Sequence, residues 1–425
     1  MEFGWNFWSI STVICLMTVF SCKKEDEVSP YVRIISPSEG AVYNVFDTVY
    51  TSFEISDETQ LVSATAEVVN SNFVPVTPKV SIQNFNGAAQ IVIDDKLLDT
   101  GDYYVLITAS DGVNQQLEYR KIKIVAVPRI RRAIYVATSN GSGQDAVWKV
   151  DSLFQQVISW NNPGQDILKL RVNSLFDRLT LVGRFSKGLR TYDLNDGALT
   201  WSDDVYPAQV QRFEDLLTYE SAVYTTLYDR EIRSYSSSGS MTMNLPTENH
   251  KPELIYRHPD CLLIEMNLVG DNKHFLNVYH PQTRALLWET NFGIDITAVC
   301  ELDADKVMVF GNDGDQARVF HYDIGGNAWW EPRQLPEGKV LDAVSIEGQS
   351  FAITHQNGVY TYTYNPNYLN QIKVGTYQDI GYDNDNATII VASNNMLEEI
   401  TQIGQTVSSV SLADSIVSFD IHYTR

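Results

Sequence analysis

The stretch Leu189-Arg-Thr-Tyr-Asp193-Leu-Asn-Asp-Gly197-Ala-Leu-Thr-Trp201 decides the fold of most of this 425-residue chain. Apolar and polar residues alternate up to Asp193, as they do in a half-buried strand. The segment from Asp193 to Gly197 is typical of a tight turn, because Asp and Asn bond to their own backbone and Gly accepts a positive φ. A second short strand then reaches Trp201. The stretch therefore predicts a β-hairpin.

Similar junctions of strand and turn recur along residues 128–425. The intervals between successive strand ends are 42, 43, 44, 43, 42 and 36 residues. Repeats of about 40 to 45 residues are typical of β-propellers built from four-stranded blades. Seven copies therefore predict a seven-bladed propeller over 128–425. The strand ends that define the repeat are Val150-Asp151, Tyr192-Asp193, Tyr235-Ser236, Tyr279-His280, Tyr322-Asp323, Tyr364-Asn365 and Ile400-Thr401.

The two ends of the repeat region complement each other. Ala133-Ile-Tyr-Val-Ala137 is typical of a second strand with no first strand before it. Ser415-Ile-Val-Ser-Phe-Asp-Ile-His-Tyr423 is typical of a first strand with nothing after it. Pairing the two in one blade leaves no unpaired sheet edge at the seam. We therefore predict that the C-terminal strand closes the ring.

The hairpin turn also resembles a known repeat. Glycine follows Asp193 by four residues and tryptophan follows it by eight, which is similar to the repeat of quinoprotein-like (PQQ-type) propellers, a WD40/YVTN-like architecture. Weaker copies run from His280 to Trp288 and from Asp323 to Trp330. The Gly-His and Trp-Asp pairs of WD40 repeats and the Asp-box spacing of sialidases are missing. The resemblance implies that these tryptophans pack between blades, and we expect packing rather than ligand stacking.

Residues 31–127 are a separate region of short strands. Alternation is clear in Val32-Arg-Ile-Ile35 and in Thr48-Val-Tyr-Thr-Ser-Phe53. The segment Gly101-Asp-Tyr-Tyr-Val-Leu-Ile-Thr-Ala-Ser-Asp-Gly112 resembles the penultimate strand of bacterial immunoglobulin-like and fibronectin-type domains. The resemblance implies an Ig-like β-sandwich over 31–127 that acts as a rigid spacer; ligand binding by its own loops is the alternative. The predicted fold class is thus all-β, a sandwich followed by a propeller.

The N-terminal residues predict export. An apolar core of 14 residues from Phe7 to Phe20 suits a signal peptide and is too short to span a bilayer. Val19-Phe-Ser-Cys22, followed by Lys23-Lys-Glu-Asp-Glu27, resembles a bacterial lipobox with the acidic surface-export tag of Bacteroidota lipoproteins. The resemblance implies a signal peptide over 1–21, lipidation of Cys22, an acidic tether over 22–30, and an outer-membrane protein exposed at the cell surface. The stretch before the apolar core departs from this pattern, with Glu2 and no Lys or Arg; a short buried segment that ends in cysteine is the alternative.

Composition excludes several classes of partner. The formal net charge is −22, and such a surface repels phosphate backbones and anionic lipid headgroups. Nucleic-acid binding is therefore not expected, and contact with the membrane is expected through the lipid alone. After Cys22 only Cys261 and Cys300 remain. Both lie in apolar runs typical of buried thiols, and a disulfide between them remains open.

The sequence shows no catalytic or metal-binding motif. The seven histidines form no HExxH pattern, and CxxC and GxSxG are missing. The acidic turns Asn312–Asp315 and Asp383–Asn386 lack the EF-hand offsets. The calcium ligands, tryptophan floor and vicinal cysteines of quinoprotein dehydrogenases are also missing, so the propeller resemblance implies no cofactor. We predict no catalytic residue, no metal and no cofactor; a carbohydrate-active propeller enzyme whose carboxylates converge in the fold is the alternative.

Alignment of the repeats places polar and aromatic residues in the loops between the second and third strand of each blade. We expect a non-catalytic, monomeric lipoprotein whose propeller binds an extracellular polysaccharide or glycoprotein, or an envelope protein, through these loops. A scaffold subunit of an outer-membrane assembly or transport complex, as in assembly lipoproteins with similar propellers, is the second interpretation. Ordinary polar turns are the structural alternative. The predicted binding residues are Arg184, Phe185, Tyr228, Asn312 and His355, with Asn140, Asn272, His274 and Asn394 in corresponding loops.

Overall fold

The computed structural model describes residues 28–58, 60–141, 145–161, 166–185, 188–203, 213–271 and 273–424. Among these residues no helix is long and apolar enough to cross a membrane. The chain divides after Val127 into two compact units. The predicted signal peptide, Cys22 and most of the predicted tether lie outside the described residues.

Two β-sheets form the first unit. Its strands, within the described residues, are β1 (Tyr31–Ser36), β2 (Ala41–Asn44), β3 (Thr48–Ser56), β4 (Ser63–Val69), β5 (Val80–Ser81), β6 (Asn86–Val92), β7 (Gly101–Ser110) and β8 (Gln115–Val125). One sheet has the order β1-β3-β6 and the other the order β2-β8-β7-β4-β5. The pairing of β2 with β8 is parallel, whereas the other pairings in these sheets are antiparallel.

One apolar core lies between these two sheets. Val49, Phe53 and Ile55 alternate with more exposed residues along β3, which directs one face of that strand inward. Val105 and Ile107 do the same along β7 in the other sheet. Near the start of β7 the Tyr103 hydroxyl donates a 3.0 Å hydrogen bond to the carbonyl oxygen of Asp99. This bond ties the strand to the loop that precedes it.

Four-stranded antiparallel sheets form the second unit, and the described residues contain seven of them. In six sheets the four strands follow one another in chain order. In the seventh, the C-terminal strand completes the sheet that the first three strands of the unit begin, by pairing with the first of them. The strands are β9 (Arg131–Ser139), β10 (Asp145–Asp151), β11 (Gln156–Asn161), β12 (Ile167–Asn173), β13 (Arg178–Gly183), β14 (Leu189–Asp193), β15 (Leu199–Asp203), β16 (Phe213–Tyr219), β17 (Ala222–Leu227), β18 (Glu231–Ser236), β19 (Met241–Pro246), β20 (His250–His258), β21 (Cys261–Leu268), β22 (Lys273–Tyr279), β23 (Leu286–Thr290), β24 (Asp295–Asp303), β25 (Lys306–Asp313), β26 (Gln316–Asp323), β27 (Ala328–Glu337), β28 (Val340–Ser345), β29 (Ser350–His355), β30 (Gly358–Thr363), β31 (Tyr368–Val374), β32 (Asp379–Asp383), β33 (Thr388–Ser393), β34 (Met396–Ile400), β35 (Thr406–Ser411) and β36 (Ser415–Tyr423).

The first strands of these sheets form a closed ring. Each contacts the first strand of the next sheet, in the cyclic order β36, β12, β16, β20, β24, β28, β32 and back to β36. The sheets are therefore the blades of a seven-bladed β-propeller. Blade 1 consists of β36 and β9–β11, and blades 2 to 7 follow in chain order from β12–β15 to β32–β35.

The seam of the ring lies inside blade 1. Strand β36 pairs antiparallel with β9, with Phe419 opposite Val136 and Ile421 opposite Ile134. This pairing confirms the closure predicted from the two terminal segments. The strand ends that defined the repeat also fall, to within one residue, at the ends of the third strands.

A β-bulge recurs near the start of the first strand. It is found in six of the blades, and one residue of each first strand there is left out of the register with the second strand. In blade 4 the displaced residue is Glu253, between Pro252 and Leu254. A bulge changes the direction in which nearby side chains point. In each of these six blades the bulge therefore reorients a residue of the first strand, such as Glu253.

Tryptophans of outer strands pack against the next blade where that blade offers a glycine. Trp201 of blade 2 stacks on Tyr235 of blade 3, with ring centroids 5.5 Å apart. Its indole N–H donates to the carbonyl oxygen of Ser237 at 3.1 Å. A Cβ on Gly239 would lie only 2.6 Å from the Trp201 Cγ. Trp160 lies against Gly197 of blade 2 in the same way.

Trp288 and Trp330 are 41% and 46% exposed, so packing between blades does not extend to them. In the hairpin of blade 5, Asn327 lies four residues after Asp323, where blade 2 has Gly197 after Asp193. The Asn327 side chain accepts a 2.6 Å hydrogen bond from Thr290 of blade 4. Asn327 thus joins blade 5 to blade 4 by a side-chain hydrogen bond at the turn position that Gly197 holds in blade 2.

The two cysteines of the propeller are free and buried. Burial raises the pKa of the Cys261 thiol to about 12. The expectation of small apolar packing residues is therefore confirmed, and the disulfide left open by the sequence is not formed.

Candidate functional site

One end of the propeller gathers the predicted binding loops. Because strands alternate in direction within a blade, the loops between second and third strands lie at the same end as the connections to the next blade. We call this end the 2–3 face. The structure places all five predicted binding residues here: Arg184 and Phe185 between β13 and β14, Tyr228 between β17 and β18, Asn312 at the end of β25, and His355 at the end of β29.

Three of the five residues reach solvent. Phe185 is 44% exposed and Tyr228 is 45% exposed, and Arg184 is also exposed. The three come from the corresponding loops of blades 2 and 3. The Nζ atom of Lys251 lies 4.9 Å from the centre of the Tyr228 ring, within the range of a cation–π contact. We call Arg184, Phe185 and Tyr228 the aromatic patch.

Asn312 and His355 are instead buried within the fold. The Asn312 side chain donates to the carbonyl oxygen of Val340 at 2.9 Å and accepts from the N–H of the same residue at 2.8 Å. These two bonds join blade 5 to blade 6. His355 is 1% exposed, and its Nδ1 accepts the N–H of Asn357 at 3.2 Å. The burial of His355 corrects the expectation that it lines a binding surface. Asn312 is also largely buried, but it contributes to the wall of the cavity between blades 4 and 5.

A cavity of about 600 Å³ opens on the 2–3 face where blades 4 and 5 meet. Its walls include the bulged residue Glu253 and His274 on β22, both from blade 4. They also include Asp295 at the start of β24, from blade 5. Lys273 and Lys339 also line it. The walls are mainly polar, and the described residues that line them include no Phe, Tyr or Trp. This blade 4–5 cavity therefore suits a polar or ionic ligand.

Four side chains that are able to ligate a metal converge at this cavity. Glu253, Glu265, His274 and Asp295 each offer a donor atom, and these atoms all lie within 4.8 Å of one another. We call them the acid–histidine cluster. Strands β20, β21 and β22 of blade 4 carry the first three, and β24 of blade 5 carries Asp295. The Oε1 atom of Glu265 lies 2.8 Å from His274 Nδ1 and accepts the N–H of Ile296 at 2.8 Å.

Burial sets the protonation of this cluster. Desolvation raises the pKa of Glu265 to about 7 and also raises the pKa of Asp295. The pKa of His274 is raised in turn, mainly by its hydrogen bond to Glu265. Both partners of the Glu265–His274 pair therefore retain a proton more readily than they would in water.

The sequence predicted no metal ligands here, because the four residues belong to four strands. His274 was expected in the loop before β22 and instead is the second residue of that strand, and its partners were not predicted. The one available signal was Glu265, a carboxylate inside the apolar run Cys261-Leu-Leu-Ile-Glu-Met266. A charge in a central strand needs a partner when it is buried, yet only the fold shows which partner is near.

A second group of charges lies on the inner strands. Lys169 pairs with Asp215. Burial is the largest single influence on the pKa of Arg171 and lowers it, but the charges of four aspartates together outweigh burial, so the pKa is raised. The pKa of Asp342 is raised because burial and the neighbouring Asp379 both oppose its ionisation. The four aspartates on these strands are Asp215, Asp342, Asp379 and Asp420.

No known protein family and no curated protein matches the sequence, whereas solved structures do match the fold. A protein from Lactobacillus plantarum is 13% identical, with 70% of this chain and 100% of that chain covered and a TM-score of 0.53. Hydrazine synthase from Kuenenia stuttgartiensis is 11% identical, with 60% and 88% covered and a TM-score of 0.51. A quinoprotein alcohol dehydrogenase-like protein from Bacteroides thetaiotaomicron is 11% identical, with 93% and 99% covered and a TM-score of 0.48. The first two likenesses concern the fold alone and say nothing about activity.

Proposed function

We propose that this chain is a non-catalytic lipoprotein of the cell envelope whose propeller binds a macromolecular partner, an extracellular glycan or protein, on the 2–3 face. The aromatic patch is the observation that carries the proposal, because Phe185 and Tyr228 expose their rings in corresponding loops of neighbouring blades and the exposed Arg184 directly precedes Phe185. Aromatic and arginine side chains supply much of the binding energy at interfaces, since they bury a large area at a small cost in side-chain entropy.

Fixed charges next to the patch support this role. Lys251, which faces the Tyr228 ring, lies 3.1 Å from a Glu214 carboxylate oxygen and 2.8 Å from one of Glu253. The lysine is thereby held between two acids under the aromatic ring. A ring that is already positioned loses less freedom when a partner binds.

Glycan or protein binding is tested by removing the patch from the mature protein. We expect Tyr228→Ala combined with Arg184→Ala to weaken binding at least about 10-fold, in line with the loss of an interface hot spot. The readouts are a glycan array and cell-surface cross-linking followed by mass spectrometry. The control is Tyr368→Ala, which removes an exposed tyrosine from the outer strand β31.

The pattern of losses decides between the interpretations. A ligand lost with the patch variant and kept by the control supports the proposal. Equal binding by all three proteins would contradict a binding role for the patch. Co-purification with an outer-membrane complex that survives these substitutions would instead favour the scaffold role.

In this proposal Cys22 supplies the membrane anchor. The lipobox-like residues 19–27 support it, and the several acyl chains of a bacterial lipoprotein hold a protein far more firmly than one chain does. We expect labelled palmitate to enter the wild-type protein and not Cys22→Ala. Membrane-bound Cys22→Ala, or a wild-type protein without label, would contradict lipid anchoring.

We assign the first unit the role of an immunoglobulin-like spacer. The sheet orders β1-β3-β6 and β2-β8-β7-β4-β5 resemble those of such sandwiches. The bond from Tyr103 to Asp99 at the start of the penultimate strand resembles the tyrosine corner of the same folds. Residues 31–127 contain no cysteine, so apolar packing and this bond would stabilise the unit without a disulfide.

A further inference from the structure

We infer that the acid–histidine cluster, Glu253, Glu265, His274 and Asp295, binds one divalent transition-metal cation, with Zn²⁺ as the ion that its donors suit best. The inference rests on the blade 4–5 cavity and does not depend on the identity of the partner proposed above.

The spacing of the donors fits a single ion. The four donor atoms lie within 4.8 Å of one another. Bonds of about 2.0–2.2 Å from Zn²⁺ to imidazole nitrogen and carboxylate oxygen place neighbouring ligand atoms roughly 3–4 Å apart. Small rotations of side chains therefore suffice to close the site around an ion. The cavity beside the cluster gives the ion a route from solvent.

Glu265 points to a missing ligand independently of the cluster. It is 1% exposed, and its Oε1 atom takes both of its hydrogen bonds, with His274 and Ile296. Its Oε2 atom has no hydrogen-bond partner in the part of the chain that the structure describes. A carboxylate on so deeply buried a side chain costs free energy unless a positive charge neutralises it. A cation at this oxygen would offset that cost.

The basic residues near the cavity do not supply the missing charge. Neither Glu265 nor Asp295 forms an ion pair with a lysine or arginine of the described chain, and Glu253 shares Lys251 with Glu214. Each lysine around the cavity has an acidic partner outside the cluster. These pairs are Lys251–Glu214 at 3.1 Å, Lys273–Asp271 at 2.9 Å and Lys339–Asp315 at 3.2 Å.

The chemistry of the donors selects the class of ion. Zn²⁺ takes imidazole nitrogen together with carboxylate oxygen. Ca²⁺ takes six to eight oxygen ligands, and Mg²⁺ retains several waters. One imidazole with three carboxylates therefore favours Zn²⁺ over both. Since Asp295 belongs to blade 5 and the other three residues to blade 4, the ion would also cross-link two blades.

Calorimetric titration of the chelator-treated mature protein with Zn²⁺ tests the inference. We expect one site per chain, a higher melting temperature with the ion, and at least about 100-fold weaker binding of Ca²⁺. Glu265→Gln and His274→Ala should each weaken Zn²⁺ binding at least about 10-fold, since they remove ligands. The control, Asp271→Asn, removes only the partner of Lys273 at the same rim and should bind Zn²⁺ as the wild type does.

The Zn²⁺ affinity of the two variants and the position of the ion in the wild type each decide whether the site exists. Glu265→Gln keeps the size of the side chain and removes a buried charge, so we expect it to fold. Zn²⁺ affinity that is unchanged in both variants would overturn the inference, as would no binding at millimolar Zn²⁺. Anomalous diffraction at the zinc edge from wild-type crystals is the check that needs no variant. A peak between the four side chains supports the site, and a peak elsewhere overturns it.

Discussion

At the scale of single residues, carboxylates of the inner strands join neighbouring blades. The innermost strand of each blade has an edge toward the axis whose N–H groups need acceptors. Asp379 accepts the N–H of Ile380 in its own blade at 2.9 Å and that of Phe419 in blade 1 at 3.0 Å. Asp215 joins blade 3 to Ile255 of blade 4 in the same way. One side chain thus caps two strand edges.

The raised pKa of Asp342 predicts a pH dependence of stability. Its folded-state pKa lies above the unfolded value of about 3.9, so the unfolded chain releases this proton at lower pH. Between the two pKa values the folded state binds more protons, and its contribution to stability falls as the pH rises. We expect the free energy of unfolding of the wild type, minus that of Asp342→Asn, to fall as the pH increases above about 4.

Urea unfolding between pH 4 and pH 9 measures this difference. The control is Asp260→Asn, which removes a carboxylate from an exposed turn. A difference between wild type and Asp342→Asn that is constant or rises with pH would contradict the Asp342–Asp379 interaction.

The Tyr103 hydroxyl gives a prediction for the first unit. Tyr103→Phe removes the hydrogen bond to Asp99 and leaves the ring in place, so we expect the free energy of unfolding to fall by about 1 kcal/mol. Tyr104→Phe is the matched control, because this half-buried neighbour makes no hydrogen bond through its hydroxyl in the described residues. Chemical denaturation followed by intrinsic fluorescence compares the two. Equal losses would show that the corner bond adds no stability.

At the scale of elements, the hairpin of one blade receives the tryptophan of the previous blade. The interlock requires a glycine, because a Cβ on Gly239 would meet the Trp201 ring and the residue has φ +85°. Where Asn327 occupies the corresponding position, Trp288 is 41% exposed. We infer that glycine in the hairpin turn of one blade allows the outer-strand tryptophan of the previous blade to pack against that turn.

Gly239→Ala tests the interlock. We expect a loss of at least about 2 kcal/mol of stability, from backbone strain at positive φ together with the clash against Trp201. Gly270→Ala is the control, because Gly270 also has a positive φ (+100°) but has no atom within 4 Å of an added Cβ. It should lose about 1 kcal/mol from strain alone. Thermal unfolding of both variants that gives equal losses would contradict the packing role of Trp201.

The elements of the propeller were predictable, because each strand carries its own alternation and each turn its own Asp, Asn or Gly. The stretch 189–201 forms the predicted hairpin of β14 and β15. The bulges were not predictable, because an extra residue such as Glu253 is visible only against the register of the paired strand. The group of charges on the inner strands was missed for a similar reason, since its members belong to different blades.

At the scale of the whole molecule, closure brings distant residues together. Asp420 in the last strand accepts the N–H of Val172 in blade 2 at 2.7 Å, and Ile421 of the same strand lies opposite Ile134 of β9. Arg131 at the start of β9 pairs with the buried Glu399 of blade 7 at 2.7 Å. Blade 1 is therefore held from both sides.

Deleting residues 414–425 removes the whole of β36. We expect the shortened chain to lose its cooperative unfolding transition or to aggregate, because β9 would become an open edge and the apolar side chains around it would be exposed. A shortened protein that is monomeric, with an unchanged melting temperature, would contradict closure by this strand.

The candidate site depends on the same closure and was only partly predictable. The loops that carry Arg184, Phe185 and Tyr228 follow from the repeat. The burial of Asn312 and His355 does not, because their partners Val340 and Asn357 are set by local geometry. The acid–histidine cluster also requires the junction of two blades, which no spacing along the chain encodes.

Cross-linking across the seam tests the closed propeller most directly. Ser139 and Ser415 lie opposite each other in the pairing of β9 with β36. We expect the variant Ser139→Cys/Ser415→Cys to form an intramolecular disulfide on mild oxidation, mapped by mass spectrometry in the folded monomer. The control, Ser139→Cys/Ser409→Cys, has its second thiol on the outer strand β35 and should stay reduced. A folded monomer in which the first pair stays reduced like the control would contradict the closed ring.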